Sequence, residues 1–129
     1  MTSVAIIDDD DGIRAALGTL MRAEHYEVST YVSVEEFLAA RRVATPAVII
    51  TDAEMPGLNG WDLIEILDRR EVGVPVIVIT GRPDEGIDPI RSRTRYVLRK
   101  PFDSSILCSV VAGLSAPIRP QQARRSREE

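Results

Sequence analysis

Five polar residues stand out because each closes an apolar run. Asp8 and Asp9 follow Val4-Ala5-Ile6-Ile7, and Asp52 follows Ala47-Val48-Ile49-Ile50-Thr51. Thr80 follows Val76-Ile77-Val78-Ile79, and Lys100 comes just after Tyr96-Val97-Leu98. Gathered together, the carboxylates would repel and raise one another's pKa unless a cation offset them. A hard divalent ion such as Mg2+ suits that task, because it takes oxygen ligands, commonly one or two carboxylates with waters and a phosphate. Beside such an ion a carboxylate can attack a phosphoryl group and form an acyl phosphate. The product's charge then needs donors, and the Lys100 ammonium and the Thr80 hydroxyl are of the right type.

The elements between these residues explain how they could meet. The apolar runs at 4–7, 47–50 and 76–79 lack polar alternation, which predicts strands buried on both faces. Tyr26 to Thr30 alternates as a weaker strand, and 96–98 forms a short fifth one. Ile13, Ala16, Leu17, Leu20 and Met21 recur at helical spacing after the aspartates. Ser33 with Glu36 three residues on reads as a capping box opening a helix to about Arg41. Pro56, Gly57, Asn59 and Gly60 mark a loop before a helix over about Trp61 to Arg70. The last helix carries Ile106, Leu107, Val110, Val111 and Leu114 on one face. Strands alternating with helices imply an α/β fold, a doubly wound parallel sheet covered on both faces. Ligands in such sheets bind at the carboxyl ends of the strands, which is where the five polar residues fall.

Length and composition set bounds. The 129 residues suffice for one domain with a sizeable core, placed at 1–114, followed by a polar tail over 115–129. Hydrophobic residues make up 44% and charged residues 28%, as in ordinary globular proteins. The net charge of -4 gives no whole-molecule reason to expect nucleic-acid binding, and no apolar run is long enough for a membrane span. The N-terminus shows no secretory signal, and the single Cys108 fits a reducing cytoplasm, as a small buried hydrophobe on a helix.

Four segments together resemble the receiver domain of response regulators, and the FixJ-type receivers most. They are Ile6-Ile7-Asp8-Asp9-Asp10; Val48-Ile49-Ile50-Thr51-Asp52 with Met55-Pro56-Gly57-Leu58-Asn59-Gly60; Val76-Ile77-Val78-Ile79-Thr80-Gly81; and Arg99-Lys100-Pro101-Phe102. Each alone is weak, but all four occur in order and at near-family spacing, from about Val4 to Leu114. The resemblance implies a flavodoxin-like sheet of order 2-1-3-4-5 with five helices. It implies that Asp52 accepts a phosphoryl group from a histidine kinase or phosphotransfer protein. Mg2+ would be held by Asp9, Asp52 and the backbone carbonyl of Glu54, with Asp8 nearby through water. Thr80 and Lys100 would bind the phosphoryl group, and the Lys100-Pro101 bond would be cis.

The chain also departs from that pattern. Thr80 and Lys100 are 20 positions apart, shorter than is usual in such receivers, and Pro83, Gly86 and Pro89 break up the segment 81–95. The fourth helix is therefore expected to be short, displaced or irregular. Val97 stands where the family's switch aromatic normally lies, and Tyr96, one residue earlier, should point to the opposite face. Glu54 and Arg82 lie two residues after Asp52 and Thr80, and their opposite charges suggest a pair across the mouth of the site.

Several readings are plainer. Asp10 and Asp11 suit a helix N-terminus better than a ligand set. His25 reads as a loop residue, and Trp61 as a surface or packing residue at the start of a helix. The tail is too short for a helix-turn-helix unit, so output is expected through protein contacts: with a kinase or phosphotransfer protein, a downstream target, or a second copy in a homodimer. Two other functions fit parts of the sequence. One is a phosphate-independent pseudo-receiver that only binds. The other is a small haloacid-dehalogenase-class phosphatase, whose Asp-x-Asp-Gly start Asp9-Asp10-Asp11-Gly12 resembles.

Overall fold

Short runs of β-branched residues make the strands: β1 (Ser3–Ile7), β2 (Glu27–Tyr31), β3 (Val48–Asp52), β4 (Val76–Thr80) and β5 (Arg95–Arg99). Four helices are described with them: α1 (Asp11–Ala23), α2 (Val34–Ala39), α3 (Gly60–Arg69) and α4 (Ser104–Ser115). The computed structural model describes residues 2–41, 45–81 and 95–116. The segment expected to form an irregular fourth helix lies outside those residues, as does the tail beyond Ala116.

The strands pair in parallel in the order β2-β1-β3-β4-β5. Alternate side chains feed two cores. Val4, Ile6, Val48, Ile50, Ile77, Ile79 and Leu98 meet Leu17 and Met21 of α1 and Leu107 and Val111 of α4. Ala5, Ile7, Ile49, Val76 and Val78 meet Val34 and Phe37 of α2 and Leu63 and Leu67 of α3. Each fully buried aliphatic side chain is worth about 1.5–3 kcal/mol, so the layers, rather than helix propensity, hold the elements in place. Tyr31 closes the β2 side edge-on against Phe37, with ring centroids 5.2 Å apart.

The helix caps follow the local chemistry, with corrections. The Asp10 carboxylate accepts the Ile13 N–H and caps α1, and Ser33 Oγ accepts the Glu36 N–H and caps α2. The expected box at Ser33 is only half made: the Glu36 carboxylate accepts the N–H of Val32 instead. α2 also ends at Ala39 rather than near Arg41. A full capping box forms where the sequence showed only a loop, with Asn59 and Asp62 exchanging hydrogen bonds of 2.9 Å at the start of α3. Two apolar faces are narrower than their periodicity suggests. In α1 only Leu17 and Met21 of the apolar set are buried, and Ile13 and Ala16 are exposed. In α4 Leu107 and Val111 are buried, while Ile106 is 49% exposed. The expected opposition within β5 is found: Leu98 and Tyr96 share one face, with Tyr96 exposed at its edge, and Val97 takes the other, half-buried.

Candidate functional site

The ends of β1 and β3 bring the acidic residues together. Carboxylate oxygens of Asp8, Asp9 and Asp52 all lie within 4.8 Å of one another. Asp8 and Asp52 are buried and Asp9 is exposed. Lys100, just past the end of β5, places Nζ 3.2 Å from Asp52 Oδ1. The Lys100-Pro101 peptide is cis, as expected. Sheet order explains the meeting: β1, β3 and β4 are neighbours, and β5 flanks β4.

Burial sets the electrostatics. Loss of water pushes the Asp8 carboxyl up from 3.8 to about 6, although the Asp10 N–H, 2.8 Å from Asp8 Oδ1, pulls the other way. The neighbouring Asp52 charge adds to the rise. Asp52 is also raised, first by burial and against the bond from Lys100. Two buried acids held above their ordinary range, with a third beside them, form a pocket of oxygen ligands short of positive charge. That donor set fits a hard divalent cation better than a soft one.

The hydroxyl of Thr80, fully buried at the end of β4, donates to Glu54 Oε2 at 2.9 Å, and the Gly81 N–H donates to Glu54 Oε1 at 3.0 Å. The Glu54 N–H points to Asp52 Oδ1 across 3.4 Å. Arg82, the partner expected for Glu54, lies outside the described residues. Gly60, the first residue of α3, packs directly on the acid: a Cβ there would stand 2.8 Å from the Asp52 carbonyl oxygen.

Sequence reasoning missed Arg14. Its guanidinium donates to the Asp8 carbonyl at 2.8 Å and pairs with Asp11, so α1 is tied to the strand end that carries the acids. The only sequence signal was the Asp11-to-Arg14 spacing of one helical turn. Asp11 itself is exposed in the first turn of α1 and is absent from the acidic cluster, so the Asp-x-Asp-Gly reading loses its second carboxylate. Beside the site, between α1 and the start of α4, runs a groove of about 590 Å³. Ile13, Ala16, Leu20 and Phe102 line it, and it shares Asp8 and Lys100 with the acid site. This groove accounts for the apolar α1 residues that the core leaves uncovered. The Trp61 indole N–H is buried with no hydrogen-bond partner among the described residues. No described helix is long and apolar enough to cross a membrane.

Comparison with known proteins agrees with this architecture. Residues 4–112 match the family described as response regulator receiver domain. Transcriptional regulatory protein FixJ of Azorhizobium caulinodans is 33% identical over 129 residues, covering 98% of this chain and 59% of that protein. The chain thus spans a little over half the length of that curated relative. A response regulator receiver domain protein from Clostridium thermocellum superposes with a TM-score of 0.79 at 25% identity, covering 89% of this chain and 94% of that one. Response regulator TrrA of Thermotoga maritima, solved in complex with Mg(2+)-BeF, gives a TM-score of 0.77 at 25% identity over 88% of this chain and 99% of that one. Sheet order, acidic strand ends and family match converge, and the chain belongs to the response regulator receiver domains of two-component signalling.

Proposed function

We propose that Asp52 is the phosphoacceptor of a signalling receiver, charged by the phosphohistidine of a histidine kinase or phosphotransfer protein. The observation that carries this is the pairing of a buried carboxylate with an ammonium at 3.2 Å beside two further acids. An Asp52 oxygen attacks the phosphorus, the bond to the donor imidazole nitrogen breaks, and its electron pair stays with the imidazole. Lys100, already on Asp52, can turn to a phosphoryl oxygen as charge moves there. Thr80 supplies a hydroxyl donor from the neighbouring strand end.

Asp8, Asp9, Asp52 and the Glu54 backbone carbonyl would hold Mg2+. Bound there, the ion would neutralise the acids and polarise the phosphoryl oxygens. The carboxylate oxygens of Asp8, Asp9 and Asp52, all within 4.8 Å of one another, are of the hard type such an ion takes. The Thermotoga maritima relative was solved in complex with Mg(2+)-BeF, which supports a Mg2+ site in this chain.

The chain's own part is to position and stabilise, which makes it a self-phosphorylating acceptor with slow dephosphorylation rather than a turnover enzyme. Output runs through protein contacts, with a downstream target or a second copy, and these partners imply a cytoplasmic setting. Acetyl phosphate with Mg2+, followed by intact mass, tests the proposal. Wild type should gain one phosphoryl group and Asp52→Ala none. An unmodified wild type would point instead to a phosphate-independent binding module.

A further inference from the structure

We propose that the Glu54 side chain is a latch on the Thr80 hydroxyl, a competing acceptor that phosphorylation of Asp52 must displace. This rests on the phosphoacceptor reading above and concerns a side chain to which that reading gives no role.

A threonine hydroxyl has one proton to donate. Here it goes to Glu54 Oε2 at 2.9 Å. An ionised carboxylate and a phosphoryl oxygen are both acceptors, so the Thr80 proton can serve only one of them at a time. Glu54 also takes the Gly81 N–H at 3.0 Å, so a single carboxylate fastens both the last residue of β4 and the first residue beyond it. The bonds join positions 26 and 27 residues apart, from the loop after β3 to the end of β4. They therefore hold two strand ends in one arrangement.

Phosphorylation acts on this latch from both sides. It adds a group of nearly two negative charges beside Glu54 and offers Thr80 a more highly charged acceptor. Asp52, raised chiefly by burial, already feels the Glu54 carboxylate in the resting protein, so the two charges are close enough to oppose each other. When Thr80 turns to the phosphoryl group, Glu54 loses that donor and the Gly81 N–H becomes free to move. The latch sets how costly the switched state is, and so how much phosphorylated protein accumulates.

The experiment is a double-mutant cycle over Glu54→Ala and Thr80→Ala, with Glu54→Gln as a variant that keeps an acceptor but loses the charge. The probe is beryllium fluoride with Mg2+, titrated calorimetrically. With Thr80 present, Glu54→Ala should tighten binding roughly tenfold, the low end of what a hydrogen bond to a charged group contributes. In the Thr80→Ala background the same change should alter affinity less than about twofold, since no donor is left to compete. Glu54→Gln should fall between wild type and Glu54→Ala, and the Gly81 amide resonance should shift when the probe binds wild type.

Equal tightening in both backgrounds would reduce Glu54 to simple charge repulsion and overturn the latch. Unchanged affinity in Glu54→Ala and Glu54→Gln would overturn it too. Acetyl phosphate separates the two levels. If wild type gains the phosphoryl group and the cycle is flat, only the latch fails; if it gains none, the phosphoacceptor reading fails and the latch falls with it.

Discussion

Replacing Asp8 with Asn should remove a pH dependence that wild type shows both in folding and in Mg2+ binding. The Asp8 carboxyl sits at about 6 in the folded protein, against an ordinary 3.8. Its folded pKa is raised, so between those values the metal-free native state holds a proton that the unfolded chain has released. The associated stability is full at low pH and is lost as pH rises through about 6, a total of about 3 kcal/mol for a rise from 3.8 to about 6. Between about pH 5 and pH 7 the loss should be roughly 1.3 kcal/mol, which denaturant unfolding in chelator can resolve.

Mg2+ binding runs the opposite way, because the ion needs the carboxylate: affinity should fall about tenfold between about pH 7 and pH 5, where an unshifted aspartate would change it by only several per cent. The raised Asp52 can only steepen this. Asp8→Asn keeps an oxygen for the Asp10 N–H, so the fold should hold while both effects shrink. Calorimetry at several pH values measures the second effect. Wild-type Mg2+ affinity that stays flat from about pH 7 to pH 5 would refute the claim that burial controls this acid.

Lys100→Met should lower steady-state phosphorylation by acetyl phosphate at least tenfold, read by intact mass, and cost metal-free stability near neutral pH about 1 kcal/mol by leaving Asp52 unpaired. Gly60→Ala should destabilise by about 1–3 kcal/mol despite alanine's better helix propensity, because its Cβ would meet the Asp52 carbonyl; denaturant titration measures this. In the same assay Leu107→Ala should cost about 2–5 kcal/mol and Ile106→Ala less than about 0.5, although both lie on the apolar face read from the sequence.

The central strands were the most legible part of the molecule. Val48 to Ile50 and Val76 to Ile79 are unbroken apolar runs because neighbouring layers bury both of their faces. Once those runs were parallel strands, Asp8, Asp9, Asp52, Thr80 and Lys100 had to gather at one sheet edge, and the first three and Lys100 meet there directly. Less legible was anything decided by a choice among partners. Glu36 could bond to Ser33 or to Val32, and which one wins depends on the path of the chain into α2. The sequence reading paired the Glu54 carboxylate with Arg82, and spacing alone could not single out Thr80 and Gly81, the donors it takes. The α1 and α4 faces were overcalled for a related reason. Periodicity marks a stripe of apolar side chains, but sheet and neighbouring helices cover only part of it, leaving Ile13 beside the groove and Ile106 in solvent.

β3 lies between β1 and β4 and is buried along its whole length, whereas β5 is an edge strand with exposed Tyr96. Amide exchange should therefore be slowest at Ile49 and Ile50, which open only with the whole domain, and much faster along β5, which can fray by itself. Asp52 and Lys100, though 3.2 Å apart, would then belong to units that open at different free energies. Fraying of β5 would carry the ammonium away from the acid while the acid stays in place, and the positive partner of Asp52 would then be intermittent on the timescale of local opening rather than that of unfolding.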